Sequence, residues 1–205
     1  MSRSVTNVGV VDYGIGTWAS VVNMFDSIGV EAKVCQTPQE ISKFTHVVLP
    51  GVGNFGIGAG RLEKLGWKDA ILQTISSGAP TLGICLGMQL LGTGSAESGG
   101  RGLGVMDFTS ELLSSNGPNR VPHMGWNSIE QESTHPIFNG WLEDSRFYFV
   151  HSFAVPASSL DAIGFSTHNQ TFASVVARDN VVGVQFHPEK SRHYGRKLFE
   201  NFSEM

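Results

Sequence analysis

The run Pro80-Thr81-Leu82-Gly83-Ile84-Cys85-Leu86-Gly87-Met88-Gln89-Leu90-Leu91 constrains the fold of this chain more than any other stretch. It reads as a short buried strand that turns sharply into a helix, with a cysteine at the apex. Gly-x-Cys-x-Gly is the thiol counterpart of the nucleophile elbow, in which small flanking residues let a strained turn push the nucleophile out at the carboxyl end of a strand. A thiol placed there meets the partial positive charge and free amides of a helix start, which favour thiolate. The same amides can bind an oxyanion, so one turn can supply both nucleophile and electrophilic assistance. Taken alone, a small buried cysteine in a glycine-rich turn is more often a packing residue. A second motif decides between the two.

That motif is Val181-Val182-Gly183-Val184-Gln185-Phe186-His187-Pro188-Glu189, an apolar extended run ending in a histidine and a carboxylate two residues apart. In an extended segment, side chains at i and i+2 point the same way, and Pro188 favours extended backbone at His187. Glu189 can then orient the imidazole of His187, while His187 takes the proton of Cys85. Each motif has a bland alternative, and together they are far more specific than either one.

The remaining composition narrows the class. A chain of 205 residues is one ordinary domain, so residues 1–205 are read as a single unit. A net charge of -4 and the lack of any long basic run argue against a nucleic-acid partner. The two cysteines, Cys35 and Cys85, do not make a disulfide framework and suit a reducing compartment. The start, Met1-Ser2-Arg3-Ser4-Val5-Thr6-Asn7, is too polar for a signal peptide, and no stretch is apolar for the length a membrane span needs. A cytoplasmic protein without membrane association is expected.

Taken in order, the chain alternates apolar strands with helical segments. Val8–Asp12 predicts a central strand ending in the turn Tyr13-Gly14-Ile15-Gly16, which lacks the third glycine of a dinucleotide fingerprint, so no cofactor is expected. Thr17 is expected to cap a helix over Trp18–Ile28, whose apolar positions Val21, Val22, Phe25 and Ile28 recur at helical spacing. Ala32–Cys35 predicts a second strand with Cys35 packed, and Thr37-Pro38-Gln39-Glu40 opens a short helix with a capping box. Val47–Pro50 predicts a third strand running into Gly51-Val52-Gly53-Asn54-Phe55-Gly56, a loop able to aim backbone amides at an oxyanion. Helical sequence fills 58–77 before the cysteine strand, and a last helix is expected over Tyr194–Phe202. This alternation predicts an α/β fold: a mostly parallel central sheet with helices on both faces and the site at the strands' carboxyl ends. From Ser114 onward, Trp126–Ile129, Arg146–Val150, Ala162–Phe165 and Val175–Ala177 predict a smaller antiparallel β excursion rather than a second domain. His123, His151 and His187 have no metal-ligand spacing, so no metal is expected.

Gly-x-Cys-x-Gly-x-Gln followed by a distant His-Pro-Glu resembles the class I (triad) glutamine amidotransferases. Asp12-Tyr13-Gly14-Ile15-Gly16, Leu49–Gly56, Pro122-His123-Met124-Gly125-Trp126-Asn127, Tyr148–Ser152 and Gln185–Ser191 narrow the resemblance to the glutaminase subunits of imidazole glycerol phosphate synthase. The resemblance implies a flavodoxin-like domain that hydrolyses glutamine through Cys85, His187 and Glu189. It further implies an oxyanion hole from the backbone at Gly53 and Leu86. Substrate contacts are implied at Gln89 and Glu97, with His151, Ser152 and Phe153 beside the substrate's α-carboxylate. The segment from His123 to Trp126 is implied to face a partner, a (β/α)8-barrel cyclase that receives the ammonia. One departure is visible: Thr17-Trp18 stands where that family usually has Asn-Leu, which leaves open a paralogous amidotransferase supplying ammonia for amidation of a surface-polysaccharide sugar. A cysteine peptidase could share the elbow but would have no need of Gln89 and Glu97. A silent scaffold is disfavoured by the presence of all three triad residues.

Overall fold

A computed structural model describes residues 6–205; the start of the polar segment judged unlike a signal peptide, Met1 to Val5, lies outside the described residues. In chain order the first half comprises β1 (Asn7–Val11), α1 (Trp18–Ser27), β2 (Glu31–Cys35), β3 (His46–Gly51), α2 (Phe55–Lys64), α3 (Trp67–Ser76), β4 (Thr81–Cys85) and α4 (Leu86–Leu91). The second half comprises β5 (Gly94–Ser95), β6 (Thr109–Leu112), β7 (His123–Ser128), β8 (Glu130–Gln131), β9 (Arg146–His151), β10 (Phe153–Pro156), β11 (Ala162–His168), β12 (Gln170–Arg178), β13 (Val181–Val184) and α5 (Arg192–Ser203).

Five parallel strands in the order β2-β1-β3-β4-β13 form the centre of the main sheet. The side chains of β1, β3, β4 and β13 are buried on both faces, which is why those runs read as apolar, whereas the edge strand β2 alternates and exposes Glu31 and Lys33. Val8, Val10, Leu82 and Ile84 point toward Val21 and Phe25 of α1 and Leu198 and Phe199 of α5. Val47 and Leu49 point the other way, toward Leu62 of α2, Ile71 of α3 and Leu86 and Leu90 of α4. Helices therefore cover both faces. The antiparallel part continues the same sheet: β12 pairs with β13, β10 with β12 and β6 with β10, while β11 bridges β12 and β8. Only β7 and β9 stand apart among the described residues, as a two-stranded antiparallel ribbon.

Three local expectations change. The helical stretch expected over 58–77 begins earlier, at Phe55, and divides into α2 and α3 because Gly66 takes a left-handed φ of 75°. The short strand expected at Val175–Ala177 is the nine-residue β12, lengthened by pairing on both edges. The segment after Thr37 is a 3₁₀ turn, Pro38–Lys43, with Glu40 Oε2 accepting from the backbone N–H groups of Gln36 and Thr37.

Candidate active site

The elbow is built by what its glycines permit. Cys85 sits at φ 55°, ψ -108°, a left-handed conformation that a non-glycine residue holds only when its surroundings force it. A methyl group on Gly87 would overlap the Leu49 carbonyl oxygen, and one on Gly83 would lie 2.8 Å from the Gly87 carbonyl. Only glycine at both positions lets α4 start directly over β3 and β4. Register between β3 and β4 sets Gly51 opposite Cys85, so the glycine loop and the cysteine leave the sheet side by side.

His187 faces this elbow from the next strand over. Its Nδ1 lies 2.7 Å from Glu189 Oε1, and both side chains are 1% exposed. The carboxylate can only accept, so Nδ1 carries the proton and Nε2 is directed elsewhere. Burial alone would push His187 down, but the neighbouring Cys85 and Glu189, the latter hydrogen-bonded to Nδ1, outweigh it and raise the imidazole to about 10, while Nε2 has no hydrogen-bond partner among the described residues. The path to this contact differs from expectation. β13 ends at Val184, and Pro188 opens a 3₁₀ turn over Pro188–Lys190 that folds Glu189 back beneath His187. The pair meets across a turn rather than along an extended strand.

A cleft of about 380 Å³ opens over Cys85 and His187. Gly53, Leu86, Gln89, Glu97, His151, Ser152 and Phe153 line it together with those two residues, while Glu189 lies behind His187. Gly53 has φ 96°, and Leu86 is the first residue of α4, so its backbone N–H is free of intrahelical bonding. Three of these side chains are already engaged. Glu97 Oε2 accepts the Phe55 N–H at 2.7 Å, and Ser98 Oγ accepts from Gly56 at 2.8 Å, so the loop after α4 caps α2. Gln89 donates from Nε2 to the Phe153 carbonyl at 2.9 Å and to Gln185 Oε1 at 3.1 Å, leaving its own carbonyl oxygen without a partner. His151 Nδ1 donates to the same Phe153 carbonyl at 2.9 Å, so its Nε2 accepts from His123 Nδ1, 3.0 Å away. Burial pushes His151 down to about 3 and His123 to about 4. His123, read as part of a partner-facing segment, turns inward and is buried, while Met124 and Trp126 are exposed.

Several residues at the site went unassigned in the sequence. Gln185 is fully buried and places Nε2 3.7 Å from Cys85 Sγ; its position two residues before His187 was the available signal. Thr17, expected to cap α1, makes no capping hydrogen bond and donates instead to Glu189 Oε1 at 3.3 Å. Tyr13 is wholly buried with an unpartnered hydroxyl, its phenol pushed up by burial and by the charge of Cys85. No group of three metal-binding side chains occurs among the described residues.

Fold and site together define a thiol elbow on a doubly covered α/β sheet, facing a histidine–carboxylate pair. The family model described as glutamine amidotransferase class-I matches residues 9–205, and the chain belongs to that family. It is 43% identical over 198 residues to imidazole glycerol phosphate synthase subunit HisH 2 of Pseudomonas aeruginosa, covering 96% of this chain and 98% of the relative. It is 40% identical to the protein of the same name from Methanococcus maripaludis, covering 95% and 98%. Among solved structures, one described as a glutamine amidotransferase matches with TM-score 0.76 at 18% identity over 98% of both chains. PurLQS from Thermotoga maritima matches with TM-score 0.75 at 17% identity, over 97% of this chain and 98% of that one. These two share the fold.

Proposed function

We propose that this chain is the glutaminase subunit of an imidazole glycerol phosphate synthase. The observation that carries the reading is identity of 40–43% along nearly the full length of curated proteins bearing that name. The site chemistry is consistent with it. Cys85 Sγ attacks the side-chain carboxamide carbon of glutamine, and the oxyanion is met by the backbone N–H of Leu86 and the loop at Gly53. The proton that His187 takes from the Cys85 thiol passes to the departing nitrogen, releasing ammonia and leaving a γ-glutamyl thioester. Water then attacks the thioester, gives its proton to His187, and returns glutamate and the free thiol. Glu189 keeps the imidazole in the tautomer and orientation that both steps require. Glu97 and the Gln89 carbonyl are acceptors suited to the substrate's ammonium group. His151, Ser152 and Phe153 border the end taken by its carboxylate.

Ammonia is protonated in neutral water and diffuses away, so the acceptor reaction belongs on a docked partner. We assign that partner as a (β/α)8-barrel cyclase, with exposed Met124 and Trp126 on the docking side and a cytoplasmic setting for the complex. No helix among the described residues is long and apolar enough to cross a membrane. A second reading, ammonia delivered to amidation of a surface-polysaccharide sugar, rests on Thr17-Trp18, which stands where the resembled family usually has Asn-Leu.

Glutamate release from glutamine tests the proposal, measured on the chain alone and with the histidine-pathway cyclase and its ribotide ligand. A large rise that needs both additions and disappears in Cys85→Ala is the expected result. Absence of any response to the cyclase shifts the assignment to the sugar pathway, and turnover surviving Cys85→Ala overturns the mechanism.

A further inference from the structure

The Phe153 carbonyl oxygen fixes the polarity of everything that touches it. A carbonyl accepts and never donates, so the Gln89 atom 2.9 Å away must be the amide nitrogen. The second N–H of that nitrogen reaches Gln185 at 3.1 Å, so the Gln185 atom there must be the oxygen. The Gln185 nitrogen is then the end left over, and it lies 3.7 Å from Cys85 Sγ. A glutamine amide ordinarily has two equally plausible orientations. Here a backbone atom removes the choice, two side chains away.

We propose that Gln185 holds an amide N–H on the Cys85 sulfur, in an orientation dictated by Phe153 through Gln89, and so sets how readily the thiolate forms. The inference rests on Cys85 being the nucleophile. Gln185 is wholly enclosed, so no water competes for its N–H. A donor to sulfur favours the anion over the thiol, because hydrogen bonds to a charged acceptor are stronger than those to a neutral one. His187 lines the same cleft as Cys85 and is its proton partner in the proposed mechanism, and Gln185, just past the end of β13, adds a fixed dipole that carries no proton of its own to exchange. The arrangement also tells what Gln89 can offer a ligand. Both its N–H groups are spent inside the protein, and its free atom is an acceptor. Gln89 thus joins a substrate contact to the orientation of the donor on the nucleophile.

The test is the rate of alkylation of Cys85 by iodoacetamide as a function of pH on the full chain. Mass spectrometry separates Cys85 from Cys35, whose thiol burial pushes up to about 12. Gln185→Met keeps the length and removes the donor. The alkylation midpoint should rise by about one pH unit, with a rate below the midpoint roughly tenfold lower. A folded Gln185→Met, with unchanged near-ultraviolet circular dichroism, whose profile superimposes on that of the parent chain overturns the proposal. Should that variant not fold, Gln89→Met carries the test. It leaves Gln185 in place but removes the donor that turns its oxygen away from the sulfur, and an unmoved midpoint there is equally fatal. Glutamine hydrolysis is assayed in parallel. A chain that alkylates normally at Cys85 yet never releases glutamate fails the functional reading while leaving the thiol titration to decide the role of Gln185.

Discussion

At the scale of single residues, the site depends on two glycines and one threonine as much as on its reactive groups. Gly87→Ala forces a methyl group into the Leu49 carbonyl, which is backbone and cannot yield as a side chain could. The expected loss is about 3 kcal/mol or more, read as a lower urea midpoint, with Cys85 alkylation lost in whatever fraction folds. Thr17→Val removes the second donor on Glu189 Oε1 while leaving the shape of the residue. Glutamine turnover should fall about fivefold at unchanged KM, because about 1 kcal/mol of orientation is lost at a carboxylate that does not touch substrate. Cys85, His187 and Glu189 were legible in the sequence because each sits in a local pattern whose chemistry is restrictive. Thr17 and Gln185 were not, because their partners lie 172 and 100 residues away, and only the sheet order makes them neighbours.

Among the elements, the join between α2 and the loop after α4 carries the most function. Glu97 and Ser98 satisfy the first N–H groups of α2, immediately after the glycine loop that faces Cys85. Glu97→Ala should lower stability by about 1 kcal/mol through the lost cap and speed hydrogen exchange at Phe55, as well as raise KM for glutamine. Equal exchange in the variant and the parent would sink the capping role. The parallel strands were readable from their apolar runs, since burial on both faces leaves no other pattern available. The division between α2 and α3 was not, because Gly60 is equally a glycine in a helical stretch and continues α2, whereas Gly66 turns left-handed and ends it. A glycine states permission, and packing states whether it is used. The turn at Pro188 followed the same rule: the motif gave the contact between His187 and Glu189 but attributed it to an extended backbone.

For the molecule as a whole, the buried histidines bend the stability curve from both sides. His123 and His151 titrate at about 4 and 3 when folded and near 6.5 when unfolded, so the unfolded chain binds more protons in that interval. Stability should therefore fall as pH drops from 6.5 toward 4, by up to about 1.4 kcal/mol per pH unit for each histidine. His123→Phe should flatten that limb in thermal melts. His187 works in the opposite sense. Its raised value of about 10 means a contribution fully present below pH 6.5 and lost as pH climbs through 10, so Glu189→Gln should flatten the alkaline limb. The position of β13 between β4 and β12 has a consequence for how the molecule is made. During synthesis the strand bearing Cys85 leaves the ribosome with one edge unpaired, and the segment that fills it follows roughly a hundred residues later, about 5–20 s at ordinary elongation rates. Throughout that interval the nascent chain carries an open apolar edge, the kind of surface that chaperones hold and that pairs with the wrong neighbour. On the mechanism proposed above it also carries a cysteine with no histidine to activate it, so that an unfinished copy would not waste glutamine and hydrolysis would switch on with the same insertion that closes the sheet.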